Sequence, residues 1–192
     1  MILALARDVV GHVETTRAGQ WARQIGSELL DETLGIVGFG RIGRQVALRA
    51  APFGMRILAH DPVMPDEAIR AGGAEPVSLE TLMRESDYIS LHAPSMPETK
   101  DLINARTLSW CKRSAFLVNT ARGDLVHEED LAEALRVGTI AGAALDVFKV
   151  EPVAVDSPLR SMPNVLPLPH IAGITRQSAE RMSAACVDNI LA

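Results

Sequence analysis

Gly38-Phe39-Gly40-Arg41-Ile42-Gly43 carries the spacing Gly-x-Gly-x-x-Gly. Glycines at that spacing let a main chain turn sharply and bring its N–H groups against a diphosphate. The pattern gains weight from its neighbours. Thr33 to Val37 reads as a short buried strand just before it, and Arg41 to Ala51 as a helix just after it, stopped by Pro52. The first glycine then allows the turn, the second admits the pyrophosphate, and the third lets helix and strand pack closely. A second strand, Met55 to Ala59, runs into His60-Asp61-Pro62. Asp61 lies about twenty residues beyond the glycines, where a carboxylate accepts the hydroxyls of an adenosine ribose. A 2′-phosphate would meet like charge there, which favours NAD over NADP. The plain alternative is that Asp61 only caps a turn. His60 reads as an adenine-side wall or a surface residue.

Three further ionisable residues have types suited to acid–base and carboxylate chemistry. Arg122 follows Asn119-Thr120-Ala121 at the end of a strand, and parallel α/β sheets hold ligands beyond the carboxyl ends of their strands. A guanidinium there can grip a carboxylate in a rigid fork and polarise an adjacent oxo group. The alternative is a surface ion pair. His170 sits between Pro167-Leu168-Pro169 and Ile171-Ala172-Gly173. Imidazole both gives and takes a proton near neutral pH. Glu151, beside Pro152, can orient such a ring and favour its charged form. From the residues alone, a satisfied loop histidine and an exposed loop carboxylate are equally good readings.

These groups need a scaffold. Strand-like runs recur at Thr33 to Val37, Met55 to Ala59, Glu75 to Val77, Tyr88 to His92, Ala115 to Asn119 and Ile140 to Leu145. Helical runs alternate with them: Arg41 to Ala51, Asp66 to Ala71 before Gly72-Gly73, Ser78 to Glu85, Asn104 to Trp110, and Glu128 to Val137 before Gly138. Short strands alternating with helices predict a parallel sheet covered on both faces. Phe148 to Pro169, rich in proline, is expected to form an irregular crossover. A last helix begins near Thr175, with Met182, Ala185 and Cys186 on one face and Cys186 buried. At the other end, Ile2, Leu5, Ala6, Val9 and Val10 recur at helical spacing without a cap before them. Gly11 is expected to interrupt that helix, His12 to Ala18 to form a second, and Trp21 to anchor the pair.

The 192 residues carry a formal charge of -5, which weighs against a nucleic-acid surface. A local arginine still suffices for a small anion. Cys111 and Cys186 form neither a metal-ligand cluster nor a disulfide framework, so no metal is expected and a reducing cytoplasm is the default location. No run of about twenty apolar residues is available to span a membrane.

Five segments, in their order and spacing, resemble the D-isomer-specific 2-hydroxyacid dehydrogenase family. They are Thr33 to Gly43, Leu91 to Thr99, Leu117 to Gly123, Ala144 to Pro152 and Pro169 to Thr175. The resemblance covers almost the whole chain. It implies a Rossmann-like, doubly wound α/β fold that binds NAD, in an oxidoreductase moving hydride between NAD(H) and a small D-2-hydroxy or 2-oxo acid. It makes Arg122, Glu151 and His170 the catalytic set. The turn from Gly38 through Phe39, Gly40, Arg41 and Ile42 to Gly43 then holds the cofactor together with Asp61. His92, Ala93, Pro94 and Thr99 line the nicotinamide-ribose side, with packing at the strand end as the alternative for His92. Thr120 and Ala121 run beside the ring, Asp146 lies near the carboxamide, and Gly173 gives close access.

The same resemblance divides the chain into connecting helices and a dimerisation region over 1–30, an NAD-binding domain over 31–174, and over 175–192 the start of a helix returning to a largely absent substrate domain. It implies a homodimer. Asp31-Glu32 stands where Gly-Lys is frequent, Ala172 where glycine is common and Gln177 where glutamate is frequent, which loosens any assignment of substrate. Two other readings stand beside it: a non-catalytic NAD(H)-sensing interaction module of the same fold, and another dinucleotide enzyme such as an adenosylhomocysteine hydrolase relative. Retention of Arg122, Glu151 and His170, at their spacing, disfavours both.

Overall fold

A computed structural model describes residues 1–191. Two short helices, α1 (Ile2–Ala6) and α2 (Val9–Arg17), precede the alternating part. There follow β1 (Thr33–Val37), α3 (Arg41–Ala50), β2 (Arg56–His60), α4 (Asp66–Ala71), β3 (Glu75–Pro76), α5 (Leu79–Glu85) and β4 (Tyr88–Leu91). The second half adds α6 (Ala105–Leu108), β5 (Phe116–Asn119), α7 (Glu128–Val137), β6 (Gly142–Leu145), β7 (Val165–Pro167) and α8 (Arg176–Leu191). The seven strands form one sheet in the order β3-β2-β1-β4-β5-β6-β7, and every pairing is parallel.

Helices cover both faces, the expected doubly wound, Rossmann-like arrangement. Alternation along β4 shows how. Ile89 and Leu91 join Leu82, Met83, Leu131 and Leu135 in the core beneath α5 and α7. Tyr88 points the other way, into the core with Ile36, Ala47, Ile57 and Ile69 beneath α3 and α4, and stacks on Phe116 with ring centroids 5.6 Å apart. All five residues of β1 are buried, as a central strand with cover on both faces requires. After β1 the chain winds to β2 and β3 on one side, then returns through α5 to β4 on the other. The reversal opens a crevice at the carboxyl ends of β1 and β4, and both the glycine turn and the His92 segment lie there.

Four expectations are corrected. Gly11 does not interrupt a helix, because the break lies at Asp8, whose φ of 41° turns the chain between α1 and α2. The Asp8 carboxylate caps α2 by accepting the Gly11 N–H at 3.3 Å. Trp21 anchors nothing: it is 79 % exposed, in a coil tied back to α1 through the Ser27 N–H to Ala6 carbonyl bond. Cys186 is exposed rather than buried, since α8 stands away from the core. The proline-rich crossover contains a strand, β7, because Pro167 at its end needs no N–H to pair there and β6 supplies partners for the rest. Among the described residues, no helix is long and apolar enough to cross a membrane.

Candidate active site

The glycine turn is shaped by close approaches. Gly38 has φ 89°, a conformation side chains disfavour, and its N–H donates to the His60 carbonyl at 2.9 Å. A Cβ at Gly43 would run into the Gly38 carbonyl, so α3 is able to start directly on the end of β1. Gly40 forms the N-cap of α3 without a side-chain cap, and space is open where its Cβ would be. Uncapped first-turn amides beneath open space are what a diphosphate requires, so the residues present fit the phosphates of a dinucleotide. Phe39 is wholly buried and serves as an anchor of the turn, whereas the Arg41 and Ile42 side chains are exposed at the start of α3.

Asp61 braces the same turn. Its Oδ2 accepts the Phe39 N–H at 2.8 Å, and its Oδ1 accepts the Val63 and Met64 N–H groups at 3.0 and 3.1 Å. Oδ1 thus accepts two bonds and Oδ2 only one, so Oδ2 retains a lone pair for a ribose hydroxyl. His60 is turned aside, bonded through Nδ1 to the Val77 carbonyl at 3.1 Å.

Beyond β5, β6 and β7 lies a cavity of about 270 Å³ lined by Arg122, Asp124, Phe148, Glu151 and His170, among others. The structure therefore brings Arg122, Glu151 and His170 to one place. His170 Nδ1 bonds Glu151 Oε2 at 2.8 Å, and Glu151 Oε1 accepts the Phe148 N–H at 3.0 Å. The His170 bond, then the Phe148 N–H, hold the Glu151 carboxyl below its usual range, with the nearby Arg122 charge adding to the effect. Nδ1 carries the hydrogen of this bond when Glu151 is ionised, which leaves Nε2 as the ring atom free for a proton transfer. Arg122 is exposed, and its Nη1 donates to the Ala121 carbonyl at 2.6 Å. The arrangement can grip an anion with a guanidinium beside a carboxylate-oriented imidazole.

The remaining sequence-predicted residues lie in several other places. Ala93 packs on the glycine turn, its backbone lying where a Gly38 side chain would go. Thr99 shapes its own loop, donating to the Pro94 carbonyl at 2.7 Å and accepting the Met96 N–H at 2.9 Å. Gly173 has open space beside it, as close access requires, and its carbonyl accepts the Ser178 hydroxyl at 2.6 Å. His92 and Thr120 line a larger cavity of about 520 Å³ on the α1/α3 side of the sheet, with Val118, Leu168 and Ile171. His92 Nε2 pairs with the Ser90 hydroxyl at 2.9 Å, and burial pushes its pKa down to about 4.

Asp146 is 1 % exposed, and both its oxygens are engaged by backbone, Oδ1 by Ile171 N–H at 2.9 Å and Oδ2 by Ala172 N–H at 2.7 Å. His170, just before them, has φ 57°, so this carboxylate secures a strained residue at the site. Asn119 was not singled out by its type. Its buried side chain receives the Ala121 N–H at 3.0 Å and donates to the Arg122 carbonyl at 2.8 Å, shaping the turn that presents Arg122. A lone amide closing the apolar run Phe116-Leu117-Val118 is the signal that could have found it.

Known proteins are similar to this chain in sequence and fold. Residues 1–172 match the family model of the D-isomer specific 2-hydroxyacid dehydrogenase, NAD binding domain. The chain belongs to that family. It is 42 % identical over 198 residues to a glyoxylate reductase of Korarchaeum cryptofilum, matching 100 % of this chain and 60 % of that one. It is 40 % identical over 194 residues to a hydroxypyruvate reductase of Thermotoga maritima, matching 99 % of this chain and 62 % of that one. The D-lactate dehydrogenase of Aquifex aeolicus, solved with NAD and lactic acid, superposes with a TM-score of 0.89 at 34 % identity, covering 98 % of this chain and 62 % of that one. The chain thus spans about three-fifths of the length of its family relatives.

His92 gives a test of the burial around the larger cavity. An unfolded-chain histidine protonates near pH 6.5. With the folded value near 4, the unfolded state binds more protons between the two, so the fold loses stability from this group as pH falls through that window. Ring-carbon NMR should show His92 titrating near pH 4, and a midpoint near 6.5 would contradict the burial described.

Proposed function

We propose that the chain is the cofactor-binding part of an NAD-dependent dehydrogenase acting on a small D-2-hydroxy or 2-oxo acid. The observation that carries this reading is the convergence of Arg122, Glu151 and His170 on one cavity, with a 2.8 Å bond between carboxylate and ring. Residues 31–174 form the NAD-binding unit in this reading, 1–30 connect and dimerise, and 175–192 begin the return to a substrate domain.

Arg122 would bind the substrate carboxylate through its guanidinium and draw electron density from the 2-oxo oxygen. His170, charged and oriented by Glu151, would donate the Nε2 proton to that oxygen. A nicotinamide, when bound, would supply the hydride to C2. The carbonyl would thereby become a hydroxyl-bearing carbon and His170 would become neutral. In the oxidative direction Nε2 takes the hydroxyl proton back, while Glu151 stays ionised throughout. Gly38 to Gly43 would hold the diphosphate, with Phe39 as buried anchor and the Arg41 and Ile42 amides as donors. Asp61 would hold the adenosine ribose, Ala93, Pro94 and Thr99 the far side of the nicotinamide ribose, and Thr120, Ala121 and Gly173 the ring's surroundings.

Glyoxylate, hydroxypyruvate and lactate, named in the relatives, are the first substrates to try. A cytoplasmic location accords with the two unpaired cysteines. A homodimer joined through the N-terminal region accords with the outward-facing Trp21 and Ile25, 79 % and 102 % exposed.

The 192-residue chain is expected to bind NADH yet reduce glyoxylate or hydroxypyruvate slowly, since a second domain would close the site against water. His170→Asn should cut the residual rate by about 10²-fold or more while leaving NADH affinity within about twofold, and an undiminished rate would remove His170 from the chemistry. Calorimetry should show NADH binding at least about tenfold tighter than NADPH, with Asp61→Ala weakening NADH by about tenfold or more. Equal affinity for the two nucleotides would overturn the role of Asp61. Light scattering at micromolar protein should report a dimer, and a monomeric mass would count against the proposed N-terminal interface.

A further inference from the structure

Lys149 and Asp101 belong to neither the nucleotide turn nor the Arg122, Glu151 and His170 set, yet they sit beside the latter. Lys149 Nζ lies 2.7 Å from Asp101 Oδ1, with 26 % and 32 % of the two side chains exposed. The pair joins the loop after β6, which carries Glu151, to the loop after β4, which carries Thr99. Asp101 adopts φ 50°, and its N–H donates to the Asp124 carbonyl at 2.8 Å, two residues past Arg122. Lys149 is held a second time, its N–H donating to Glu128 Oε1 at 2.7 Å at the start of α7. Underneath, the Phe148 and Lys149 backbone presses on Gly123 so closely that a Cβ there would collide with it. Ser95 adds a weaker tie from the Thr99 loop to the segment after β5, its hydroxyl reaching Asp124 Oδ2 at 3.3 Å.

The loop Val147–Glu151 therefore has anchors below, behind and at its far side, and the ion pair is the one that reaches across to the Thr99 loop. The energetics point the same way. Burial opposes the Lys149 charge, but Asp101, with Glu129 and Glu128 nearby, outweighs it and raises the Lys149 pKa. Lys149 in turn, ahead of the opposing burial, holds the Asp101 carboxyl low. Both groups stay charged across the neutral range, and a partly shielded pair is screened less than one in open water.

We propose that Lys149 and Asp101 are positioning residues, their ion pair clasping the Glu151 loop to the Thr99 loop so that the Glu151 carboxylate stays in place to orient His170. The proposal rests on the functional reading above, and it adds two residues outside the Arg122, Glu151 and His170 set. A clasp of this kind acts on Glu151 through geometry. If the loop loosens, the His170 and Phe148 bonds to the carboxylate lengthen, and the carboxyl moves up toward its ordinary range.

The charged or titratable groups that face Glu151 are His170 from the segment after β7, Arg122 and Asp124 from the segment after β5, and Lys149 from its own loop. The test is a ¹³C NMR titration of the Glu151 side-chain carboxyl in the 192-residue chain. Lys149→Met and Asp101→Gly should each raise the midpoint by about half a pH unit or more, and Lys149→Arg should leave it in place. Glycine suits a φ of 50°, so Asp101→Gly decides the matter if Lys149→Met does not fold. His170→Asn is the control, removing the largest influence on Glu151. If His170→Asn moves the midpoint but Lys149→Met and Asp101→Gly do not, the clasp is wrong and the catalytic reading stands. If His170→Asn leaves the midpoint unmoved, the Glu151–His170 pair itself fails, and the catalytic reading with it.

Discussion

Asp146 follows β6, its side chain almost wholly buried, and two backbone amides from another segment converge on its carboxylate. A buried carboxylate is costly unless donors satisfy it, so the Ile171 and Ala172 amides are fixed where Asp146 needs them. That leaves His170 little choice of position. It must take up left-handed backbone at the mouth of the site, facing the loop that carries Glu151. Besides this anchor, the segment after β7 is held by the Leu168 N–H to the Leu145 carbonyl at 2.8 Å and by the His170–Glu151 bond.

The same device recurs wherever the site needs a loop held still. Asp61 grips the glycine turn through the Phe39 amide, Glu128 grips the Glu151 loop through the Lys149 amide, and Glu151 itself accepts the Phe148 amide. Asn119 does the equivalent for Arg122 with a neutral amide. Past the first residue or so, loops at the carboxyl end of a parallel sheet run beyond the ladders that would pair their N–H groups. Acidic side chains placed on adjoining loops satisfy those groups and join the loops to one another. Much of the acidic excess in this chain near the site is structural in this sense.

The reversal of strand order between β2 and β4 about β1 supplies the rest. It puts the diphosphate turn and the His92–Pro94 segment on one crevice, and the further strands β5, β6 and β7 carry the Arg122, Glu151 and His170 segments away from it in sequence order. A ligand long enough to lie across the crevice meets phosphate donors at one end and a charged pocket at the other. Neighbouring strands are about 5 Å apart, so a few strands separate the two ends by the reach of a dinucleotide.

What was legible in the sequence was whatever local patterning controls. Short strand-like runs and period-3.6 apolar repeats marked six of the seven strands to within a residue or two, along with the helices between them, because strands buried on both faces are mostly unbroken apolar runs. The glycine run marked the turn because only glycine admits such close backbone approach. The family motifs marked Arg122, Glu151 and His170 by spacing. The errors arose where long-range contacts decide. The residue types point to Trp21 as an anchor for the helix pair and to a buried Cys186, yet both are exposed, since packing requires a partner surface. Pro167 suggested irregular coil, yet β6 offered an edge at which a strand ending in proline could pair. The engagement of Asp146 with two amides 25 and 26 residues away, and of Lys149 with Asp101, depends on which loops the folded sheet sets side by side. Residue types and spacing determined what chemistry the chain can offer; only the packed structure decided which carboxylate meets which donor, because those partners are far apart in sequence and close only once the sheet has formed.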